Sequence, residues 1–171
     1  MPEISPTLHT SRLLLRPVAE SDVEKLLPFS YYQGEPVKDL EGVYDKLRRV
    51  RSEQATGRAV HWVMELKASG ELVGSIGYYR GFADETGEVG YVAHPDHRNK
   101  GYMSEALAAV LQYGFEGLQL KAITAYTKKE NVPSVRMLLR AGFVETRSEE
   151  LVYKKFLLEK YPPDFVRVDF T

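Results

Sequence analysis

At 171 residues the chain has room for one sizeable core, and it is read as a single domain over residues 1–171. Its net charge of −1 supplies no overall basic field, which speaks against a nucleic-acid partner, and no segment has the apolar length to span a bilayer. Cysteine is absent, which excludes disulfides, thiolate metal sites and a cysteine nucleophile. That absence fits a reducing, cytoplasmic setting, as does an N-terminus without a basic stretch followed by a long apolar run. Nothing in the composition chooses between a monomer and a homodimer.

The first predicted strand is Arg12 to Arg16 (RLLLR), ended by Pro17. Ser21 and Asp22 open a helical stretch carrying Val23, Leu26, Leu27 and Phe29, which stops between Pro28 and Gly34. Leu40, Val43, Leu47 and Val50 recur at helical spacing over residues 39–56, with Arg48, Arg49 and Arg51 mainly off that face. Val60 to Leu66 and Glu71 to Tyr79, joined through Ser69-Gly70, predict an antiparallel hairpin. Gly74 and Gly77 in its second arm suggest a bulge or a close backbone approach.

The next strand, Gly87 to His94, is broken by Pro95. A helix from about Lys100 to Phe115 follows, with Met103, Ala106, Leu107, Val110 and Leu111 on one stripe. Lys121 to Tyr126 stands in βαβ relation to Gly87–His94, so the two strands should pair in parallel. Asn131 is placed to cap a helix containing Val135, Leu138 and Leu139, with Pro133 in its first turn and Gly142 past its end. Phe143 to Arg147 and Leu151 to Leu158 close the domain as a hairpin, and Tyr161, Pro162 and Pro163 read as an irregular strap.

The chemistry concentrates in His97 to Leu107 (HRNKGYMSEAL). A strand, a basic turn, a glycine and a helix start follow one another directly. Unpaired N–H groups at a helix N-terminus attract anions, aided by the helix dipole. A Cβ at Gly101 would hold a phosphate away from the backbone, and Arg98 and Lys100 add positive charge. Read alone, the segment is equally an ordinary strand-to-helix connection. His94 and His97 flank a Pro-Asp turn without a third ligand, so they are read as loop residues and no metal is expected. A dinucleotide or P-loop domain would need a glycine fingerprint that is missing.

Three separated segments carry a family resemblance. Arg98-Asn99-Lys100-Gly101-Tyr102-Met103, with Ser104-Glu105-Ala106-Leu107 behind it, resembles the phosphate motif of the GNAT superfamily of acetyl-CoA-dependent N-acetyltransferases. Thr10 to Pro17 is similar to the opening of its RimJ/RimL branch. Asn131 to Phe143 resembles that branch's Asn-x-x-Ser-x-x-x-Leu-x-x-x-Gly-Phe. The predicted order β-α-α-β-β-β-α-β-α-β-β agrees. Met103 departs from the usual glycine or alanine, and Leu138 stands where many GNAT branches carry a tyrosine general acid.

The resemblance implies an α+β, three-layer acyl-CoA N-acyltransferase fold. Its mixed, mostly antiparallel sheet has about seven strands, with a splayed parallel pair and about four helices. It implies acetyl-CoA as acetyl donor, held by Tyr91, Val92 and Ala93 on the open strand edge. Arg98 to Ser104 would form the phosphate turn, and Asn131 would orient the chain nearby. A backbone N–H near Val92 would serve the oxyanion, and Ser134 would stand near the sulfur. Glu88 is the candidate to accept the amine proton, with His61 as a second base or substrate contact. Tyr31 and Tyr32 would wall the acceptor groove or simply pack the loop that carries them.

From the residues alone, Ser134 is equally a helix-start residue and Glu88 a solvated carboxylate, and a structural role is the favoured reading of His61. The acceptor implied is a protein or peptide N-terminal α-amine, reached by direct attack in a ternary complex. Small amines or antibiotics, and a CoA-binding module without catalysis, are the alternatives.

Overall fold

The computed structural model describes residues 5–161 and 168–170. In chain order the elements are β1 (Leu8–His9), β2 (Leu13–Arg16), α1 (Val23–Leu26), β3 (Tyr31–Tyr32), β4 (Glu35–Pro36) and α2 (Leu40–Ala55). Then come β5 (Val60–Leu66), β6 (Leu72–Tyr79), β7 (Thr86–Ala93), α3 (Tyr102–Gln112), β8 (Ala122–Lys128), α4 (Val132–Arg140), β9 (Val144–Thr146), β10 (Tyr153–Leu158) and β11 (Asp169–Phe170). The main sheet runs β11-β1-β2-β5-β6-β7-β8-β10-β9, and β3 and β4 form a separate hairpin. Its two strands beyond the expected seven are β1 and β11, each two residues long at one edge. Every pairing is antiparallel except β7 with β8, the pair that the crossover through α3 requires.

Period-two alternation divides each strand between two layers. Trp62, Met64, Ile76, Tyr78, Val89, Ile123, Ala125 and Phe156 face α3 and α4 and form the larger core with Ala106, Leu107, Val110 and Leu138. Val63 and Leu72 face the other way and pack with Val23, Leu26, Phe29, Val43 and Leu47 from α1 and α2. Leu40, expected on the buried stripe of α2, sits at its margin and is exposed, as is Leu139 on α4. Alpha-3 continues through a π-helical turn, Tyr113–Gly117. Gly114 lets the Tyr78 ring approach there, while Tyr78 Oη donates to the Val110 carbonyl at 2.9 Å.

The strap expected from Tyr161 onward lies largely outside the described residues. Tyr161 itself packs beside Phe115, with ring centroids 6.4 Å apart. Further on, Val168 exchanges hydrogen bonds with the Gln112 side chain, donating at 2.7 Å and accepting at 3.1 Å.

One buried ion pair secures α1. Asp22 accepts from Arg16 Nη1 at 2.7 Å, from Nη2 at 3.0 Å and from the Ala19 N–H at 2.8 Å. Arg16 also holds Glu65 on β5. Burial works against ionisation of Asp22, yet the Arg16 guanidinium and the Ala19 N–H outweigh it and keep the carboxyl below its ordinary value. Asp22→Asn removes the buried one of the two carboxylates on Arg16 and leaves it Glu65 alone, so the variant should cost about 2–4 kcal/mol in denaturant unfolding at pH 7. Because the native pKa is depressed, this contribution is present above about pH 4 and disappears as pH falls through the lowered value. Wild type and variant should therefore converge in stability near pH 2.

Candidate functional site

The ladder between β7 and β8 ends early. Thr86 to Val89 pair with Ala122 to Ala125, and no further pairs form, whereas β7 stays paired with β6 from Glu88 to Ala93. Beyond Val89 the parallel strands splay and leave a main-chain edge open. Which groups face the gap follows from register. The His94 N–H donates to Val73 O at 2.9 Å. In an antiparallel pair the hydrogen-bonded positions alternate, so Val92 and Gly90 also turn their amides and carbonyls to β6. The Val92 carbonyl does lie against β6, 2.6 Å from where a Cβ on Gly74 would stand. Tyr91 and Ala93 thus present their N–H and C=O groups to the gap. The oxyanion donor expected at Val92 is corrected by this: its own amide is committed to the pair with Ser75, and the open donors are one residue to either side.

The turn expected to hold phosphate is a tight one. Pro95–His97 make a 3₁₀ turn, Asn99 has φ +61°, and Gly101 adopts φ +79° as N-cap of α3. The first intrahelical bond is Glu105 N–H to Gly101 O at 3.1 Å, so the amides of Tyr102, Met103 and Ser104 have no partner in their own helix. No side chain among the described residues caps them. By contrast, Asp39 caps α2 through the Gly42 N–H at 2.9 Å, and Asn131 caps α4 through the Ser134 N–H at 3.3 Å. An uncapped helix start behind a left-handed glycine, with Arg98, Asn99 and Lys100 exposed around it, fits a phosphate. Met103 turns into the core, which keeps its amide clear.

A clamp that the sequence did not reveal holds this turn. Arg12 Nε donates to Glu105 Oε2 and the Arg12 N–H to Glu105 Oε1, both at 2.7 Å. Arg12 Nη1 donates to Lys100 O at 3.0 Å, and the guanidinium lies 4.5 Å from the Tyr102 ring centroid. The Thr10 hydroxyl adds a bond to Glu105 at 2.6 Å. Burial opposes the Glu105 charge, but Thr10 and Arg12 together lower its pKa.

The remaining candidates separate onto the two faces of the sheet. On the α3–α4 face, Tyr91 Oη and Ser134 Oγ are 2.7 Å apart across the splay. Burial pushes the Tyr91 phenol up to about 12, with Ser134 pulling slightly the other way, so it stays protonated at neutral pH. The sequence points to Tyr91 for its backbone only; the role of its hydroxyl comes from the structure. Asn131, expected to orient bound pantetheine or nearby backbone, spends its carboxamide oxygen on the α4 cap.

On the opposite face, Glu88 is three-quarters buried beside Arg80, 3.5 Å away. Burial raises its pKa against the pull of Arg80 and Lys155, which makes it a better base than a solvated glutamate. His61 is buried, and desolvation with the Lys46 charge holds it down to about 3. It stays neutral at physiological pH and is too weak a base for an amine proton, which corrects that expectation.

Tyr31 and Tyr32 form β3, and Arg49 stacks over the Tyr32 ring at 4.4 Å. A Cβ on Gly34, at the tip of this hairpin, would stand 2.8 Å from Tyr153 Oη, so the hairpin reaches the start of β10. His94 and His97 lie face to edge at 5.3 Å, and no group of three metal-ligating side chains occurs among the described residues.

Gly101 admits a direct test. A β-branched residue would force its side chain into left-handed backbone and crowd Arg12 Nη2, which lies 3.3 Å from an ideal Cβ. Gly101→Val should leave the circular-dichroism spectrum native and reduce calorimetric CoA affinity at least tenfold. Unchanged affinity would place the phosphate elsewhere.

Comparison with known proteins agrees with this geometry. Residues 12–144 match the family model described as acetyltransferase (GNAT) domain. An N-acetyltransferase of Bacillus subtilis (strain 168), YoaA, itself described as uncharacterized, is 30% identical over 166 residues, or 92% of each chain. Among solved structures, Mycobacterium smegmatis RimJ in complex with CoA-disulfide superposes with a TM-score of 0.73 at 23% identity, covering 89% of this chain and 86% of that one. A variant of the spermidine N-acetyltransferase of Vibrio cholerae gives 0.68 at 22%, covering 86% and 94%. With the splayed parallel pair, the uncapped glycine turn and the family match in place, the chain belongs to the GNAT family of N-acetyltransferases.

Proposed function

We propose that the chain acetylates α-amines, on peptide N-termini in preference to lysine side chains, by direct attack of the amine on acetyl-CoA bound along the β7 edge. The observation that carries this reading is the open edge itself. Tyr91 and Ala93 offer amide and carbonyl groups at strand spacing, an arrangement that pairs with an extended amide chain. The uncapped start of α3 lies at the same end of that strand. Acetyl-CoA supplies an acyl carbonyl and a thiolate leaving group; the chain supplies everything else.

Tyr102, Met103 and Ser104 amides with Arg98 and Lys100 hold phosphate. Tyr91 or Ala93 N–H stabilises developing oxyanion charge. Glu88 takes the amine proton on the acceptor face, and the Tyr91–Ser134 hydroxyl pair carries a proton on the other. This division puts base and acid on opposite faces of one strand. Acceptor choice follows from base strength. At pH 7 about a tenth of an α-amine with pKa near 8 is neutral, against fewer than one in a thousand lysine side chains. A single carboxylate base suits the former.

Three measurements test this. Acetylation of a peptide with a free N-terminus should exceed that of the same peptide N-blocked and carrying an internal lysine, followed by free-thiol release; faster reaction of the blocked peptide would contradict it. Ser134→Ala should lower kcat by about a hundredfold or less, because a thiolate leaves readily unaided, whereas general acid–base contributions run from about a hundred- to ten-thousandfold. Glu88→Gln should remove the acid limb of the kcat/KM profile. In the wild type that limb lies above the ordinary glutamate range because burial raises Glu88. If both variants turn over like wild type, side-chain proton transfer has no part in the reaction.

A further inference from the structure

On the acceptor face, three polar side chains run in a line away from the open edge, and none of them has a hydrogen-bond partner among the described residues. Tyr79 of β6 lies flat over two glycines. A Cβ on Gly90 would meet its ring at 3.1 Å, and one on Gly77 would meet its hydroxyl at 3.2 Å. The ring therefore spans from β7, beside the splay, back over β6 with its hydroxyl toward β5. There it meets His61, with ring centroids 6.0 Å apart. His61 is 3% exposed, and its Nε2 is enclosed without a hydrogen-bond partner. Lys46 lies on the face of α2 that carries Val43 and Leu47 and is partly buried.

Lys46 is also unusual in its charge environment. Burial pushes its pKa down to about 8, with no acid among the described residues acting on it, and its charge is felt at His61. Glu88, the nearest acid along this line on β7, is engaged with Arg80. Buried cations in folded proteins are normally paired, since an uncompensated one is costly. A lysine held this way, with its charge felt at an enclosed imidazole, is short of one anion.

We propose that Lys46, Tyr79 and His61 form a subsite for a carboxylate carried by the amine acceptor. The inference rests on the reading of the β7 edge as the place of acetyl transfer. Lys46 would ion-pair with the carboxylate, Tyr79 Oη would donate to it, and neutral His61 would donate from Nε2 behind them. The spacing sets the kind of acceptor. From β7 to β5 is two strand spacings, about 10 Å. A free amino acid, whose amine and carboxylate share one Cα, is too short. A peptide with an acidic side chain at its second residue reaches, as does a dipeptide through its own C-terminal carboxylate. Polyamines are disfavoured, because their second cation would meet Lys46.

The test compares kcat/KM with acetyl-CoA for C-terminally amidated peptides beginning Ala-Glu and Ala-Gln, for a dipeptide acid against its amide, and for spermidine. The acid of at least one pair should exceed its amide by tenfold or more, and the pair that shows it identifies the carboxylate's source. In Lys46→Met that ratio should fall toward one, while the thermal midpoint of the unliganded protein rises because an unpaired cation has been removed. Lys46→Gln serves as a second variant. Equal rates for acid and amide in the wild type, or a ratio that survives both substitutions, would overturn the subsite. If neither free N-terminus reacts and lysine side chains do, the α-amine reading falls instead. The same acid-against-amide comparison on lysine peptides then decides the subsite.

Discussion

The constraint on which the site depends is the early end of the β7–β8 ladder. Up to Val89 and Ala125, the two parallel strands satisfy each other; beyond them, β7 is held only by β6. Backbone groups without partners are costly when buried, so such a gap persists only if something fills it or water reaches it. Here both neighbouring strands are fixed by other means. Beta-7 is held by its antiparallel pairing to β6, and β8 by six register pairs with β10. Neither can close toward the other without breaking that pairing. The gap is thus built into the sheet, and it opens toward the start of α3.

That helix start is prepared in a second way. The turn before it holds two residues in left-handed backbone, Asn99 and Gly101, and leaves three amides without a cap. Such a segment would be loose by itself. Arg12 prevents this by binding Glu105 in the first turn of α3 and the Lys100 carbonyl just before it, with Tyr102 against its guanidinium. An acid in the first helical turn would ordinarily compete with a bound anion. Because Glu105 is engaged by Arg12 and Thr10, its charge is neutralised locally. The turn is anchored while its anion-facing side stays open.

Much of this was legible from short-range pattern. Alternation marked β5, β6 and β7, helical stripes marked α2 and α3, and Asn131 announced its own cap. The glycine turn could be found because its parts are contiguous. What escaped detection was set by pairing between distant segments. The partner of Arg12 is 93 residues away, so RLLLR could only be read as a strand. Beta-1 and β11 are too short to show any period. The misassignment at Val92 has the same origin: alternation tells that residues take turns, whereas the register with β6 decides whose amide faces the gap. Gly77 was flagged as a close approach, but that Tyr79 uses it together with Gly90 depends on three strands meeting. His61 offered a suitable intrinsic pKa, and only its burial removes it as a base.

The most direct test of the account is residue-resolved amide hydrogen exchange, by NMR, with and without CoA. The register predicts that the Tyr91 and Ala93 amides exchange quickly in the free protein and become protected when CoA is added, together with Tyr102, Met103 and Ser104. Val92 and His94, already bonded to β6, should be slow in both states. Protection gained at Val92 with none at Tyr91 or Ala93 would contradict the assignment of the open edge. An unchanged pattern throughout would contradict the site itself.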